Sequence, residues 1–427
     1  MRYLYSALIH MLRPIAFALV LWRGLRNRSY WTGLRERFGS GYPASSLPTI
    51  WVHAVSIGEV TAAAPLIRAL GTRHPQIPVI VTTATPTGRA HAQALFGASI
   101  STRYLPYDTP GSMRRFIGRI RPRVAIIMET ELWPNLFHEC RRRGVPVVLA
   151  SARLSQQSVT MYQRFGGLFR SVFAGNTQVA AQSAEDAERF LAIGAAPNST
   201  RVVGNVKFDL TLDTATLERG SALRRAHWDA RPVWVAGSTH AGEEESALTA
   251  HARLVADRHD ALLVLVPRHP ERFAAVAELL ARRGVQFERR SDFRGVRAGT
   301  AVRAESQVLL VDTMGELAAL YASADVAFVG GSLVPVGGHN LLEPAGLGVP
   351  VITGPYQCNG RAIAELLLHA GGALQVTDAT ELAQALHELF ADPGRRERIG
   401  NAAQCVVDSN RGSLARLLEI IEPLLCV

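Results

Sequence analysis

Short apolar runs alternate with amphipathic stretches along most of the chain. From residue 50, the runs 50–55, 79–83, 124–128, 145–150 and 178–181 each read as a buried strand. The segments between them carry apolar positions at helical spacing. One such helix covers 59–70 and is closed by Gly71. Pro86-Thr87-Gly88 and Pro134 open two more, since proline suits the first helical turn. The pattern breaks over 204–231 and then restarts, with strand-like runs at 233–236, 262–266, 308–311, 326–329 and 349–352. A final amphipathic helix covers 412–425. Short apolar runs separated by helices predict parallel sheets covered on both faces. Two such series in tandem predict an α/β chain of two Rossmann-like domains facing a cleft. The expected divisions are 31–210, a linker over 211–230, 231–410, and a C-terminal helix over 411–427. Ligands of such sheets lie beyond the carboxyl ends of the strands, and that rule selects the loops to inspect.

The segment before residue 30 follows a different pattern. Residues 3–22 are mostly apolar, but His10 and Arg13 interrupt them, and the clean stretch 14–22 is too short to span a bilayer alone. Arg23, Arg26, Arg28, Arg35 and Arg37 follow, with Glu36 the only acid in the first forty residues. This predicts a membrane anchor or interfacial helix over 1–30, with its basic flank on anionic lipid and the body in the cytoplasm. An ordinary buried helix is the alternative. No small-residue cleavage site is present, which argues against secretion.

Composition sharpens that expectation. A net charge of +10 calls for a negatively charged partner. The basic residues form no stripe interleaved with aromatics, so an anionic membrane surface is expected and nucleic acid is not. Cys140, Cys358, Cys405 and Cys426 are scattered without metal-ligand spacing, as expected of reduced thiols in a cytoplasmic protein. No D-x-D, H-E-x-x-H or Walker loop occurs, so neither metal nor cofactor is expected. The chain has one lysine, Lys207, against 45 arginines. A lysine that persists in such a background suggests a site needing a compact point charge rather than a planar fork.

Candidate chemistry lies at the ends of the strand-like runs. Ser56, Gly58 and Glu59 follow the first, where burial would raise a carboxyl group toward a useful base. An acid complementing the helix dipole explains Glu59 equally well. Glu129 and Glu131 follow another run, beside Trp133 and Pro134, as acceptor-holding groups or as helix caps. Lys207 could neutralise charge on a transferring group, or be a solvated lysine. In the second half, Arg268 after Pro267 suits a bidentate grip on phosphate. Met314, Gly315 and Glu316 open a helix after residue 312. The glycine-rich stretch 330–338, followed by Asn340, Leu341, Leu342 and Glu343, predicts exposed amides at a helix start, a ready anion site. Joined to Glu343, it favours a nucleotide-sugar site.

Taken together, the motifs resemble one family. WVHAVSIGEV at 51–60, METELWPN at 128–135, SARLS at 151–155, GNVKFD at 204–209, VPRHPERF at 266–273, DTMGEL at 312–317 and GGSLVPVGGHNLLEP at 330–344 are similar to motifs of the 3-deoxy-D-manno-octulosonic acid (Kdo) transferases. The resemblance runs from residue 35 to residue 413, with Ser151 standing where the family motif carries Asn. It implies a GT-B glycosyltransferase fold and inverting, metal-independent transfer of Kdo from CMP-Kdo to a lipid A precursor at the inner membrane. It implies Glu59 as general base, with Glu129 and Lys207 supporting the transition state. It assigns CMP-Kdo to Pro267, Arg268, Met314, Gly315, Glu316, Asn340, Leu341, Leu342 and Glu343. A UDP-sugar epimerase or transferase of the same fold, and a membrane-tethered nucleotide-binding module, are the alternatives.

Overall fold

The computed structural model describes residues 1–42, 44–209, 214–293 and 300–425. Residues 210–213 of the expected linker, and Cys426, lie outside them. The chain divides into two compact units, Met1–Asp209 with Arg411–Val427, and Leu210–Asn410.

The first unit is built on seven strands: β1 (Thr49–His53), β2 (Val79–Thr83), β3 (Ser101–Tyr104), β4 (Pro122–Met128), β5 (Val147–Ala152), β6 (Thr177–Ala181) and β7 (Thr200–Val202). Their order is β3-β2-β1-β4-β5-β6-β7 and every pairing is parallel. Helices cover both faces, which is why the central strands are continuously apolar. The period of two is visible within β1. Ile50 and Val52 join one core with Leu66 and Ile67 of the helix Ile57–Arg73, whereas Trp51 joins the other with Phe116 and Ile127. Leu417 and Ile421 of the helix Ser413–Leu425 complete the first core. The Asp209 carboxylate accepts hydrogen bonds from the Gly412 and Leu414 amides, at 2.6 and 2.5 Å, and so fixes where that helix begins.

The N-terminal segment is a single helix, Arg2–Arg26, running through Pro14. At 1.5 Å per residue it is about 37 Å long. Among the described residues it is the one helix long and apolar enough to cross a membrane. One face docks on the first unit. The buried Ser6 hydroxyl donates to Asn135 at 2.9 Å, the Tyr5 hydroxyl donates to Asp108 at 3.0 Å, and Phe17 meets Phe38 edge-on at 5.2 Å. Leu4, Leu8, Met11, Ile15, Leu19 and Trp22, roughly one turn apart, are exposed.

The second unit repeats the plan with β8 (Val233–Thr239), β9 (Leu262–Pro267), β10 (Phe287–Arg289), β11 (Val308–Leu310), β12 (Val326–Val329), β13 (Val351–Thr353) and β14 (Ala373–Gln375). Their order is β10-β11-β9-β8-β12-β13-β14, again wholly parallel. The described part of the segment expected to be a linker is largely helical, Thr214–Leu223 followed by a π turn over Arg224–Trp228. It packs into this unit. A Cβ at Gly220 would lie 2.5 Å from the Ala322 methyl, so the backbones approach too closely for a side chain. Small residues at that contact kept the apolar periodicity weak in the sequence.

Candidate functional sites at the strand carboxyl ends

In each sheet the chain leaves the first strand in one direction and later returns to its other side. The first reversal falls between β1 and β4, the second between β8 and β12. The loops beyond these strand pairs are where open α/β sheets place their ligands.

Glu59 stands beyond β1 and Glu129 beyond β4, so the two flank the first reversal. Ser56 caps the helix Ile57–Arg73 by accepting from the Glu59 amide. The Glu59 carboxylate turns back, with Oε2 accepting from the Val55 amide at 2.8 Å and Oε1 lying 3.3 Å from the Ser56 hydroxyl. The capping role is therefore real, and it fixes this carboxylate beside the other acids. Burial pushes its pKa up to about 7. The Val55 bond opposes that rise, and the charges of Glu129 and Glu131 add to it. Burial also raises Glu131, whose carboxylate accepts from the Trp133 indole.

Glu129 has φ of 54°, left-handed backbone that few residues other than glycine adopt. Its oxygens are divided between two cations, Lys207 Nζ 3.3 Å from Oε1 and Arg153 Nε 2.7 Å from Oε2. Glu59, Glu129, Glu131, Lys207 and Arg153 thus form one cluster within the first unit. Arg153 escaped the sequence reading, although SARLS places it two residues past Ser151. Ser151 itself has φ of 52°, a conformation in which Asn is enriched, which accounts physically for Asn at this point of the motif. His53 is buried in β1 with Nδ1 3.0 Å from the Thr82 carbonyl oxygen, and burial lowers its pKa to about 4.

The second reversal is organised by Glu243, which the sequence reading also missed. This fully buried carboxylate accepts from the amides of Gly331, Ser332 and Leu333 at 2.7–2.9 Å, and from His240 at 2.9 Å. The amides of Gly331, Ser332 and Leu333 are therefore occupied by the protein's own carboxylate and are not open to a ligand. The signal was available: Glu243 opens the helix Glu243–Asp257 shortly past GSTH, after Ala241 and the N-cap Gly242.

Other polar side chains gather beside that loop. His240 and His339 stack with ring centroids 5.0 Å apart and their Nε2 atoms 2.8 Å apart. His269 stands edge-on to His240 at 5.4 Å. Burial, then Arg268 and the neighbouring imidazoles, lower His339 to about 4. Pro267 ends β9, and Arg268, exposed, has no ion-pair partner among the described residues. Burial raises Glu343, while a hydrogen bond from Asn340 at 3.1 Å and the Arg268 charge oppose the rise. Leu341 and Leu342 are buried and present only backbone, with the Leu342 amide given to the Asn340 side chain. Arg268, His339, Asn340 and Glu343 are thus brought together.

Residues 314–316 follow β11 and lead into the helix Leu317–Ala322, whose Leu317 and Tyr321 lie against Gly237 of β8. Met314 is exposed and Gly315 has φ of 84°. Glu316 is held by Arg290, with Nη2 at 3.1 Å and Nε at 3.2 Å.

Comparison with known proteins distinguishes the possible chemistries. Residues 32–210 match the family model described as 3-deoxy-D-manno-octulosonic-acid transferase, and residues 298–405 match glycosyl transferases group 1. The 3-deoxy-D-manno-octulosonic acid transferase of Haemophilus influenzae is 40% identical over 427 residues, covering 99% of each chain. Two solved structures are similar in fold alone. The UDP-GlcNAc 2-epimerase of Neisseria meningitidis has a TM-score of 0.57 at 14% identity, over 88% of this chain and 100% of that one. MurG of Acinetobacter baumannii has 0.53 at 13%, over 88% and 99%. These likenesses place the chain in the two-domain GT-B glycosyltransferase class. Since the epimerase shares only the fold while the full-length relative is a transferase, the chain belongs to the 3-deoxy-D-manno-octulosonic acid transferase family, glycosyltransferases of lipopolysaccharide biosynthesis.

Proposed function

We propose that this chain transfers Kdo from CMP-Kdo to a tetra-acylated lipid A precursor, with inversion and without a metal, at the cytoplasmic face of the inner membrane. The observation that carries the reading is the carboxyl of Glu59, raised to about 7 and fixed beside the Glu129–Lys207–Arg153 cluster at the first strand reversal. A group titrating near neutrality is matched to removing a proton from a sugar hydroxyl at working pH.

In this reading Glu59 takes the acceptor hydroxyl proton as the oxygen attacks the anomeric carbon of Kdo. The bond from that carbon to the phosphate oxygen breaks, and CMP leaves with the electron pair. Lys207, held by Glu129, offsets charge developing at the reacting centre. Arg268 grips the CMP phosphate and takes the part a metal plays elsewhere. Glu343 and Asn340 hold ribose or base hydrogen-bonding groups, Pro267, Leu341 and Leu342 shape the nucleotide pocket, and residues 314–316 supply backbone contacts. The exposed apolar face of the helix Arg2–Arg26, its arginine flank and the net charge of +10 support docking on anionic lipid.

The test is incubation of the purified protein with CMP-Kdo and the tetra-acylated precursor, followed by mass analysis of the lipid. A gain of one or more Kdo masses is expected, and an unchanged lipid mass would refute the assignment. Glu59→Gln should cut turnover at least 100-fold while CMP-Kdo binding persists. A variant keeping a tenth of normal turnover would remove Glu59 from the role of base.

A further inference from the structure

The helix Arg2–Arg26 does not lie flush on the first unit. Between its polar attachment at Tyr5 and Ser6 and its aromatic attachment at Phe17 lies a cavity of about 400 Å³. Ile9, Leu12 and Ala16 of the helix form one wall, and Leu132, Trp133 and Phe169 stand across from them. Tyr162 packs on Phe169 with ring centroids 4.3 Å apart and extends the apolar lining. We infer that this cavity receives one acyl chain of the lipid acceptor, so that the N-terminal helix is part of the acceptor site as well as a means of attachment. The inference rests on the function proposed above.

Three observations point to that occupant. First, the cavity is continuous with the carboxylate cluster. Thr130 and Glu131 line it, and they adjoin Glu129. A chain held there brings its sugar toward Glu59. Second, Leu12 lines the cavity and is also 45% exposed, beside the outward row that includes Leu8, Met11 and Ile15. An apolar path therefore joins the cavity to the helix face suited to lipid. Third, the rim carries one cation able to meet an anionic headgroup, while the two carboxylates on the lining are engaged, Asp108 by the Tyr5 hydroxyl and Glu131 by the Trp133 indole. Arg13 lines the cavity, its guanidinium lies 5.2 Å from the Phe38 ring centroid, and it has no acidic partner among the described residues. The Tyr107 hydroxyl, also on the lining, is buried without a hydrogen-bond partner. A lipid with a phosphorylated, hydroxylated headgroup and apolar chains matches this arrangement, whereas an acidic soluble peptide would leave the aromatic wall unused.

The test compares acceptors that share one phosphorylated disaccharide and differ in acyl length, in detergent at saturating CMP-Kdo, with the full-length protein. KM should rise roughly threefold to fourfold for each methylene removed from the inserted chain, at steady kcat. Ala16→Phe, which fills the cavity, should raise KM for the long-chain acceptor at least tenfold. It should leave transfer to the fully deacylated disaccharide unchanged. An acceptor with a brominated chain should quench the fluorescence of the native protein more than that of Trp133→Phe, a comparison that holds even if Ala16→Phe fails to fold. Transfer with a KM independent of chain length would overturn this inference alone. So would equal quenching of both proteins, which would place the chain on the outer helix face, or self-association that Ala16→Phe abolishes. Absence of transfer to every acylated acceptor would instead sink the proposed function, and this inference with it.

Discussion

Glu59 titrates near 7 because burial disfavours its charged form and two neighbouring carboxylates repel it. Its ionised fraction therefore grows steeply across neutral pH. If it is the base, kcat/KM for the native protein rises with pH through a limb near 7. Glu129→Gln removes one of the repelling charges and releases Lys207 and Arg153 from their partner, and both changes lower the Glu59 pKa. The limb should then move to lower pH, measured as the acid half-point of the rate profile. A limb that stays in place would show that another group sets it. Linkage gives Glu59 a second signature. A carboxyl raised in the folded state costs stability as pH climbs from about 4.5, its ordinary value, through 7, and costs nothing below both values. Glu59→Gln should therefore melt above the native protein at pH 8 and level with it at pH 4. Lys207 is open to an equally direct test. Its ammonium reaches Glu129 as a single point, while Arg153 already supplies a guanidinium on the other oxygen. Lys207→Arg should keep the fold, by circular dichroism, and lose most of the turnover. Near-normal turnover would show that any cation serves.

At the scale of elements, what the sequence made legible follows burial. The ten interior strands of the two sheets all appear as apolar runs. The four that escape such a reading, β3, β7, β10 and β14, are the four sheet edges. An edge strand has one pairing side and is part-exposed, so β7 (Thr-Arg-Val) and β10 (Phe-Glu-Arg) carry no apolar run. Glu59 and Glu129 were legible because strand ends announce themselves, and Lys207 because it is the one lysine of the chain, but Arg153 and Glu243 act through the tertiary partners they meet. The glycine-rich loop shows the cost of missing one. Its sequence fits an open anion cradle, yet Glu243 occupies the amides of residues 331–333. That carboxylate should hold the loop in shape. Glu243→Gln replaces one acceptor oxygen with an NH₂ facing amide donors, leaving buried groups unsatisfied at a cost of about 1–3 kcal/mol each. Urea unfolding should show the variant destabilised by at least about 2 kcal/mol. A change within about 0.5 kcal/mol would mean that the loop amides find other partners.

The whole molecule is laid out discontinuously. The first unit is left at Asp209 and is completed only when the chain returns at Arg411. The returning helix brings Leu417, Leu418, Ile420, Ile421 and Leu425 into the first core, all of them buried. At about 1.5–3 kcal/mol for each buried aliphatic side chain, that contribution is on the order of 7–15 kcal/mol. A domain's entire net stability is about 5–15 kcal/mol. Removing the helix also uncovers the β4 and β6 side chains beneath it and leaves the Asp209 carboxylate without the two amide donors it accepts from. The second unit is one continuous stretch with its own core around Trp234, Leu263 and Phe328, a core in which no residue of the last helix figures among the described residues. A chain ending at residue 410 should therefore retain the second unit and lose the first. Amide hydrogen exchange reads both at once, with β8, β9 and β12 staying protected while β1, β4 and β5 exchange as unfolded peptide. Native-like protection in β1 and β4 of that shortened chain would show that the first seven strands carry their own stability and that the C-terminal helix only covers them.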